Sequence, residues 1–305
     1  MALDDKRLVE ISVQADHEAV DDLMGLFTRY CSGGAAVDER REGPNWAEQE
    51  RVTVKGFVEE SDEETLQKLE IALLLLSKSG VISAPSTRVL EAADWAEAWK
   101  QFFPPLPIGE RFVVVPSWVE YKVPAGRLAL HLDPGMAFGT GLHATTRLCL
   151  KAMESLPIAG AQVLDVGTGS GILSIAAALL GATHVEAIDV DPVCVQVTLE
   201  NCERNGVASQ VDVSRATLPS RARTGVEYHR GGPYDVLLIN ILAEIIMDMS
   251  ASLPGYIKPG GICVASGILA EKSAAVQQAL QEACLTVQSE RVEDGWVALV
   301  ATRPT

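Results

Sequence analysis

The chain has 305 residues, 48% of them hydrophobic and 22% charged, so a sizeable core is expected and disorder is not. A formal net charge of −16 argues against broad binding to nucleic-acid phosphates and is compatible with a basic partner. Six cysteines without a C-x-x-C pair predict buried, reduced thiols, no metal site and a cytoplasmic protein. The first residues lack a signal-peptide pattern, and the longest apolar run, 71–76, is too short to span a bilayer.

Residues 1–90 predict a small α+β domain. Four segments alternate apolar and polar residues as strands do: 6–14, 35–38, 51–58 and 86–91. Two segments have the apolar spacing of helices: 16–30 and 61–74. The second begins with a capping-box pattern that starts at Ser61. The order β-α-β-β-α-β predicts the split-βαβ, ferredoxin-like arrangement.

Residues 91–104 predict a linker helix between two domains. Trp95 and Trp99 lie one helical turn apart and share a face, which favours packing of the linker on a domain over a binding site. Pro104 and Pro105 end the helix because proline cannot continue it.

Residues 105–305 alternate between strands and helices after two strands at 111–115 and 127–132 and a helix at 145–156. Seven strands are predicted near 163–167, 184–189, 210–214, 235–240, 261–266, 284–291 and 296–302. Four helices are predicted near 171–181, 192–205, 243–252 and 270–283. This alternation predicts an α/β fold with a mostly parallel, Rossmann-like sheet. The short turn at Glu293 to Gly295 predicts an antiparallel hairpin at one edge.

A strand, a glycine-rich turn and a helix are predicted over 163–181. Gly167, Gly169 and Gly171 alternate in the turn, where glycine permits positive φ and close approach of a ligand. The N-terminus of the following helix offers unpaired N–H groups and a positive dipole. The unit therefore predicts a site for a nucleotide-like ligand.

The residues around this turn favour one nucleotide over another. The dinucleotide fingerprint is G-x-G-x-x-G, and here Ile172 stands at its third glycine. Asp165, just before the turn, would repel a pyrophosphate and favour a ligand with an amine. Asp189 ends the next strand and could accept hydrogen bonds from both ribose hydroxyls. With the edge hairpin, these features favour S-adenosylmethionine over a nicotinamide dinucleotide.

A glycine-rich loop runs over residues 132–146 into a helix. Phe138 in this loop could cover an active site. Thr145 and Thr146 fit the start of the helix, where they could cap it or touch the ligand. His143 is a candidate base, although a lone histidine is more often structural.

Asn240 falls at the carboxyl end of the buried strand 235–240. Ligands in open α/β sheets bind outside the carboxyl ends of strands, so Asp165, Asp189 and Asn240 would share one edge. The Asn240 carbonyl could accept a hydrogen bond from an amine and aim its lone pair at a methyl group. The alternative is that Asn240 only caps the helix 243–252.

Several segments together resemble the bacterial lysine methyltransferases of large-subunit ribosomal protein eleven. They are DWAEAWKQFFPPLPIGERFVVVPSW (94–118), LDPGMAFGTGLHATTRLCL (132–150), VLDVGTGSGILSIAA (163–177), IDVDP (188–192) and NILAE (240–244). The resemblance covers 94–302. Residues 1–90 match the family in predicted layout more than in sequence.

The resemblance implies a class I S-adenosylmethionine-dependent methyltransferase with a substrate-recognition domain at 1–90. It implies that the cofactor is held by Thr146, with Thr145 close, and by Gly167, Asp189 and Asn240. The glycine turn adds Asp165, Gly169 and Gly171 to the expected cofactor-binding residues. Many amine methyltransferases carry an aromatic residue three positions after the asparagine, where this chain has Ala243. Phe138 is the hypothetical replacement for that wall, and Asn240 and Phe138 are the expected catalytic residues.

The resemblance further implies methylation of lysine side chains, and of an N-terminal amine, of the ribosomal protein by a monomer. Neither a membrane nor a specific nucleic acid is an expected partner. Four alternatives stay open at this point: methylation of another protein, methylation of a small amine, a nicotinamide-dependent oxidoreductase, and a non-catalytic ribosome-binding module.

Overall fold

The computed structural model describes residues 8–16, 19–31, 35–38, 51–90, 104–132, 143–220 and 225–305. The chain divides into two compact units, Met1–Pro104 and Pro105–Thr305. The predicted linker helix, apart from Pro104, and the predicted catalytic residue Phe138 lie outside the described residues.

The described residues of the first unit form four strands and two helices. They are β1 (Leu8–Asp16), α1 (Val20–Tyr30), β2 (Ala35–Asp38), β3 (Arg51–Glu59), α2 (Glu63–Ser77) and β4 (Ser86–Leu90). The strands form an antiparallel sheet in the order β2-β3-β1-β4. Alternate β1 residues, among them Ile11 and Val13, are buried against Phe27 of α1 and Leu73 of α2. The helices therefore cover the apolar face that this alternation creates.

Helix α2 begins one residue later than the capping-box pattern predicted. The carboxylate of Asp62 accepts a hydrogen bond from the Thr65 N–H at 3.1 Å. The N-cap is therefore Asp62 and not Ser61, and the prediction of a cap at Ser61 was wrong.

The second unit contains ten strands and six α-helices within its described residues. They are β5 (Leu106–Ile108), β6 (Phe112–Val115), β7 (Leu128–His131), α3 (Ala144–Met153), β8 (Gln162–Val166), α4 (Ile172–Leu179), β9 (His184–Asp189), α5 (Pro192–Arg204), β10 (Val211–Arg215), β11 (Tyr234–Asn240), α6 (Ala243–Met249), α7 (Leu253–Tyr256), β12 (Ile257–Leu269), α8 (Ser273–Glu282), β13 (Thr286–Glu293) and β14 (Trp296–Thr302). Strands β5, β6 and β7 form a small sheet, and β5 was not predicted.

The seven remaining strands form the main sheet, in the order β10-β9-β8-β11-β12-β14-β13. The five strands from β10 to β12 run parallel. Strand β14 runs antiparallel to both β12 and β13. The prediction of a mostly parallel seven-stranded sheet with an antiparallel edge hairpin is confirmed.

Both faces of the main sheet are buried. Along β11, Val236 and Leu238 pack against one apolar cluster, and Leu237 and Ile239 pack against another. Successive side chains of a strand point to opposite faces, so a continuous apolar run needs helices on both sides. Helices α3, α4 and α5 contribute to the first cluster, and α6 and α8 contribute to the second.

All six cysteines are free thiols, and four of them are buried as predicted; the prediction of burial was wrong for Cys194, which is half-buried, and for Cys284, which is exposed. Burial raises the pKa of Cys149 and of Cys263 to about 12, so neither is a ready nucleophile at neutral pH. Within the described ranges, every helix falls short of the length and apolar character needed to cross a membrane.

Candidate active site

Three neighbouring parallel strands bring the predicted residues to one edge of the main sheet. In the register of β9, β8 and β11, Val166 is aligned with the residues that directly precede Asp189 and Asn240. Gly167 follows Val166, so all three candidates lie at the carboxyl ends of their strands. This edge is where ligands bind in open α/β sheets.

The glycine turn needs glycine for its backbone angles and for its space. Gly167, Gly169 and Gly171 have φ angles of 73°, 58° and 82°. A Cβ on Gly171 would lie 2.8 Å from Cγ2 of Thr198, and one on Gly167 would collide with the Ile241 side chain. A larger residue at either position would therefore displace the turn or its neighbours.

Helix α5 and strand β9 hold this turn through polar contacts. The Thr198 hydroxyl donates to the Gly169 carbonyl at 3.0 Å, and Nδ2 of Asn201 donates to the Ser170 carbonyl at 2.8 Å. The Gly169 N–H donates to Oδ2 of Asp189 at 3.0 Å. Sequence reasoning missed Thr198 and Asn201. Their spacing of three residues on one face of a predicted helix, pointing into the core, was the available signal.

Asp165 lies in the interior, 1% exposed, below the glycine turn. Its Oδ2 accepts hydrogen bonds from the hydroxyls of Thr168 at 2.8 Å and Ser174 at 2.6 Å. Burial raises the pKa of Asp165 to about 6, against the opposing effect of the two hydroxyls. The carboxyl therefore ties the turn to the start of α4. Its predicted contact with a ligand amine stays a prediction.

Asp189 supports the glycine turn and keeps lone pairs that a ligand can use. Its Oδ2 holds the glycine turn, as above, and its Oδ1 accepts the Asp191 N–H at 3.0 Å. Each carboxylate oxygen has a second lone pair. The side chain is 8% exposed. Asp189 is thus held rigidly while it keeps acceptor capacity for a ligand hydroxyl.

His143 caps the helix that carries the two predicted threonines. Its Nδ1 accepts the Thr145 N–H at 3.3 Å and lies 2.7 Å from the Thr145 hydroxyl. Of the two alternatives for Thr145 and Thr146, capping of α3 was wrong, because the cap is His143, and contact with the ligand stays a prediction. Both threonines are fully buried. The observed role of His143 is structural.

Asn240 meets the start of α3 through its amide. Its Nδ2 donates to Oγ1 of Thr146 at 3.4 Å. Its Oδ1 is buried and has no hydrogen-bond partner among the described residues. Helix α6 begins after Leu242 without a side-chain cap, so the alternative that Asn240 caps this helix was wrong. The asparagine instead presents an unused acceptor at the edge of the sheet.

Two glycines fix the backbone that follows Asn240. The Ile241 N–H donates to the Ser266 carbonyl at 3.2 Å. Gly267 has a φ of 84°, and a Cβ there would collide with the Ile241 carbonyl oxygen. Gly167 faces the side chain of the same isoleucine. Sequence reasoning missed Gly267, although a glycine inside a strand often marks a bulge or a close backbone contact.

The chain has close relatives of known name. The family model for ribosomal protein L11 methyltransferase (PrmA) matches residues 7–304. The chain belongs to this family. The ribosomal protein L11 methyltransferase of Symbiobacterium thermophilum is 40% identical over 316 residues, covering 98% of this chain and 100% of the relative. That of Chloroflexus aurantiacus is 40% identical over 321 residues, covering 97% and 98%.

A solved structure agrees with this assignment to the L11 methyltransferase family. The ribosomal protein L11 methylase of Lactobacillus delbrueckii subsp. bulgaricus superposes with a TM-score of 0.60 at 30% identity. The match covers 67% of this chain and 100% of that chain. The resemblance stated from the sequence motifs is confirmed.

Membership in the L11 methyltransferase family makes this chain an S-adenosylmethionine-dependent protein methyltransferase. The residues at the sheet edge fit that cofactor, which carries an amine, two ribose hydroxyls and a methyl sulfonium. The remaining acceptor capacity of Asp189 suits the ribose hydroxyl donors. Within the described part of the chain, no cluster of His, Cys, Asp and Glu could hold a metal ion.

Proposed function

We propose that this protein methylates amino groups of ribosomal protein L11, lysine side chains and the N-terminal amine among them. One observation carries the proposal: the buried Oδ1 of Asn240 lacks a hydrogen-bond partner in the described residues. A buried acceptor without a partner costs about 1–3 kcal/mol. Such an atom in a native site calls for an explanation, and an amine N–H that arrives with a ligand provides one.

The other predicted residues receive separate roles in this proposal. Asp189 would bind the ribose hydroxyls, and the turn of Gly167, Gly169 and Gly171 would hold the cofactor. Thr145 and Thr146 would complete the cofactor site beside Asn240. Asp165 acts on the ligand through the turn that it supports. Phe138 keeps its proposed role as a wall of the acceptor site.

The chemistry needs alignment more than acid–base catalysis. When bound, S-adenosylmethionine supplies an electrophilic methyl group on a positively charged sulfur. A lysine amine has an ordinary pKa near 10.4. Removal from water lowers this pKa, so a larger fraction of the amine is neutral and nucleophilic. Oδ1 of Asn240 accepts one N–H of that amine and so directs the nitrogen lone pair at the methyl group. Alignment of this kind is worth a large part of the barrier. As the amine nitrogen bonds the methyl carbon, the bond from that carbon to sulfur breaks, S-adenosylhomocysteine is left as the product, and the proton released from the amine passes to water.

We also propose that residues 1–90 recognise the substrate protein and that 91–104 link them to the methyltransferase unit at 105–305. The strand order of the first unit matches the split-βαβ, ferredoxin-like arrangement. Residues 1–90 carry 18 acidic and 10 basic side chains, which suits a basic ribosomal protein. A cytoplasmic monomer is sufficient for this function.

The test uses the full chain, ribosomal protein L11 and a methyl donor with a labelled methyl group. Mass spectrometry then locates the label. We expect label on lysine and N-terminal amines with the wild type, and at least about 100-fold slower transfer by Asn240→Ala. Asn205→Ala is the control, because the side chain of Asn205 bonds the backbone of His131 and Asn201 and makes no bond to Asn240 or Thr146 among the described residues.

Two results would contradict the proposal in different ways. If the wild type leaves ribosomal protein L11 unlabelled but labels a free amine added to the same mixture, the protein substrate is wrong. If Asn240→Ala transfers methyl groups at the wild-type rate, Asn240 does not align the amine.

A further inference from the structure

The turn between β13 and β14 lies at the same sheet edge as the candidate active site. Trp296, the first residue of β14, pairs with Leu269 at the carboxyl end of β12. Asp294 and Gly295 have φ angles of 49° and 78°, as in the tight primed turns of hairpins. The Gly295 carbonyl accepts the Ala270 N–H at 2.8 Å. The turn is therefore short and fixed to the sheet.

Two acidic side chains of this turn hold Arg147 in the first turns of α3. Nε of Arg147 donates to Oε1 of Glu293 at 2.6 Å, and Nη2 donates to Oδ2 of Asp294 at 2.6 Å. Lys151 donates to the other oxygen of Glu293 at 2.5 Å. Partial burial opposes ionisation of Glu293, yet Lys151 and Arg147 hold its pKa below the usual range. These are charge-assisted bonds with only 22% exposure at Arg147 and Glu293.

Trp296, directly after the turn, contacts the N-cap residue of α3. The rings of Trp296 and His143 meet edge to face, with centroids 4.8 Å apart. His143 caps α3, and Arg147 lies four residues later. The turn therefore contacts α3 on both sides of Thr145 and Thr146.

We propose that the β13–β14 turn is a positioning element for methyl transfer. Glu293, Asp294 and Trp296 fix the start of α3. They thereby position the Thr146 hydroxyl, which accepts a hydrogen bond from Nδ2 of Asn240. That bond decides which way the free Oδ1 points. A misplacement of about 1 Å at a reacting centre can cost about 100-fold in rate, so a distant clamp can control the chemistry. The inference rests on the role proposed above for Asn240.

Arg147→Gln is the test variant, and Lys151→Gln is its matched control. Both remove a cation that binds Glu293, but Lys151 lies one helical turn further from Thr146. We expect Arg147→Gln to lower kcat by about tenfold or more, with less than about threefold change in KM for the methyl donor. Lys151→Gln should stay within about twofold of the wild type in kcat.

Two further measurements separate positioning from a general loss of stability. The Tm of both variants is compared, and hydrogen exchange is followed at the backbone amides of 144–148. Positioning predicts faster exchange there in Arg147→Gln than in Lys151→Gln at a similar Tm. Equal kcat and equal exchange in the two variants would overturn the proposal, as would a fall in Tm with an unchanged kcat.

A double-variant background separates positioning from direct contact of Arg147 with the substrate. In a chain that already carries Glu293→Gln and Asp294→Asn, adding Arg147→Gln should change kcat by less than about twofold, because the clamp is already lost. A full further loss in that background would show that Arg147 acts independently of the turn, and would overturn the proposal.

The wild type is assayed beside every variant. If it fails to methylate ribosomal protein L11, the proposed function fails, whereas the exchange measurement still reports whether the turn orders α3. If the wild type is active and Arg147→Gln matches it in kcat and exchange, only the positioning inference fails.

Discussion

The glycine turn and the Asn240 amide share one sheet edge but differ in how completely their polar groups are bonded. The carbonyls of Gly169 and Ser170 accept hydrogen bonds from α5, and the Gly169 N–H donates to Asp189. Asn240 has one long bond, to Thr146, and a buried oxygen without a partner among the described residues. We infer that the turn is formed before any ligand arrives, whereas the amide is completed by one.

This difference predicts two classes of variant. Changes at the turn should weaken binding of the methyl donor and leave the maximal rate nearly intact. Changes around Asn240 should lower the maximal rate and leave donor binding nearly intact.

The largest effect is expected from Gly267→Ala, behind Asn240. Its Cβ would collide with the Ile241 carbonyl, and alanine at a φ of 84° is strained. We expect about 3 kcal/mol lower stability and more than about 100-fold lower kcat, because the backbone beside Asn240 must move. Denaturant unfolding and steady-state kinetics measure the two quantities.

Gly260→Ala in the same strand is the control for Gly267→Ala. Gly260 has a similar φ of 77°, but a Cβ there would meet only Cγ2 of Thr305, at 3.7 Å. This variant should lose about 1–2 kcal/mol through backbone strain and keep its kcat. If both variants lost kcat equally, Gly267 would have no specific role in placing Asn240.

The next largest effect is expected from Asp189→Ala. We expect the Kd for S-adenosylmethionine to rise by about 10- to 100-fold, because the ribose hydroxyls and the Gly169 N–H both lose their acceptor. The kcat at saturating donor should change by less than about threefold. Asp191→Ala is the control, since Asp191 caps α5 and should cost about 1 kcal/mol of stability with little change in Kd. Unchanged calorimetric affinity of Asp189→Ala would refute the ribose role.

A matched pair of threonines gives a smaller, more discriminating effect. Thr146→Val removes the hydroxyl that orients Asn240, and Thr198→Val removes the hydroxyl that holds the Gly169 carbonyl. We expect the first to lower kcat by about tenfold and the second to raise the donor Kd by about tenfold. If both variants changed the same parameter, the division between turn and reacting centre would not hold.

The smallest effect on activity is expected from Asp165→Asn, which changes the pH dependence of stability. Folding raises the Asp165 pKa to about 6, so the folded state holds this proton more tightly than the unfolded state. The resulting stabilisation is present below about pH 4 and is lost as pH rises through about 6. Relative to the wild type, the variant should gain up to about 3 kcal/mol between pH 4 and 6. If the free energies of unfolding of the variant and the wild type changed in parallel between pH 4 and 6, the raised pKa would be contradicted.

The regular elements of the second unit followed from local pattern. The apolar runs at β8 and β11 are long and continuous, so their strand character needed no tertiary information. The edge hairpin followed from its short Asp-Gly turn. Strand β5 was missed because it has three residues, one of them proline, and it exists only through pairing with β6.

The amino-acid sequence was enough to predict the family, the main sheet and the residues at its carboxyl edge, because strand ends and glycine turns are local signals. The long-range contacts of these residues came from the tertiary structure. It set the Asn240 amide against Thr146, 94 residues away, and left its oxygen without a hydrogen-bond partner among the described residues. It also joined segments up to about 150 residues apart, such as Arg147 and Glu293. Residue spacing along the chain does not predict such contacts, because the segments meet only when the sheet forms.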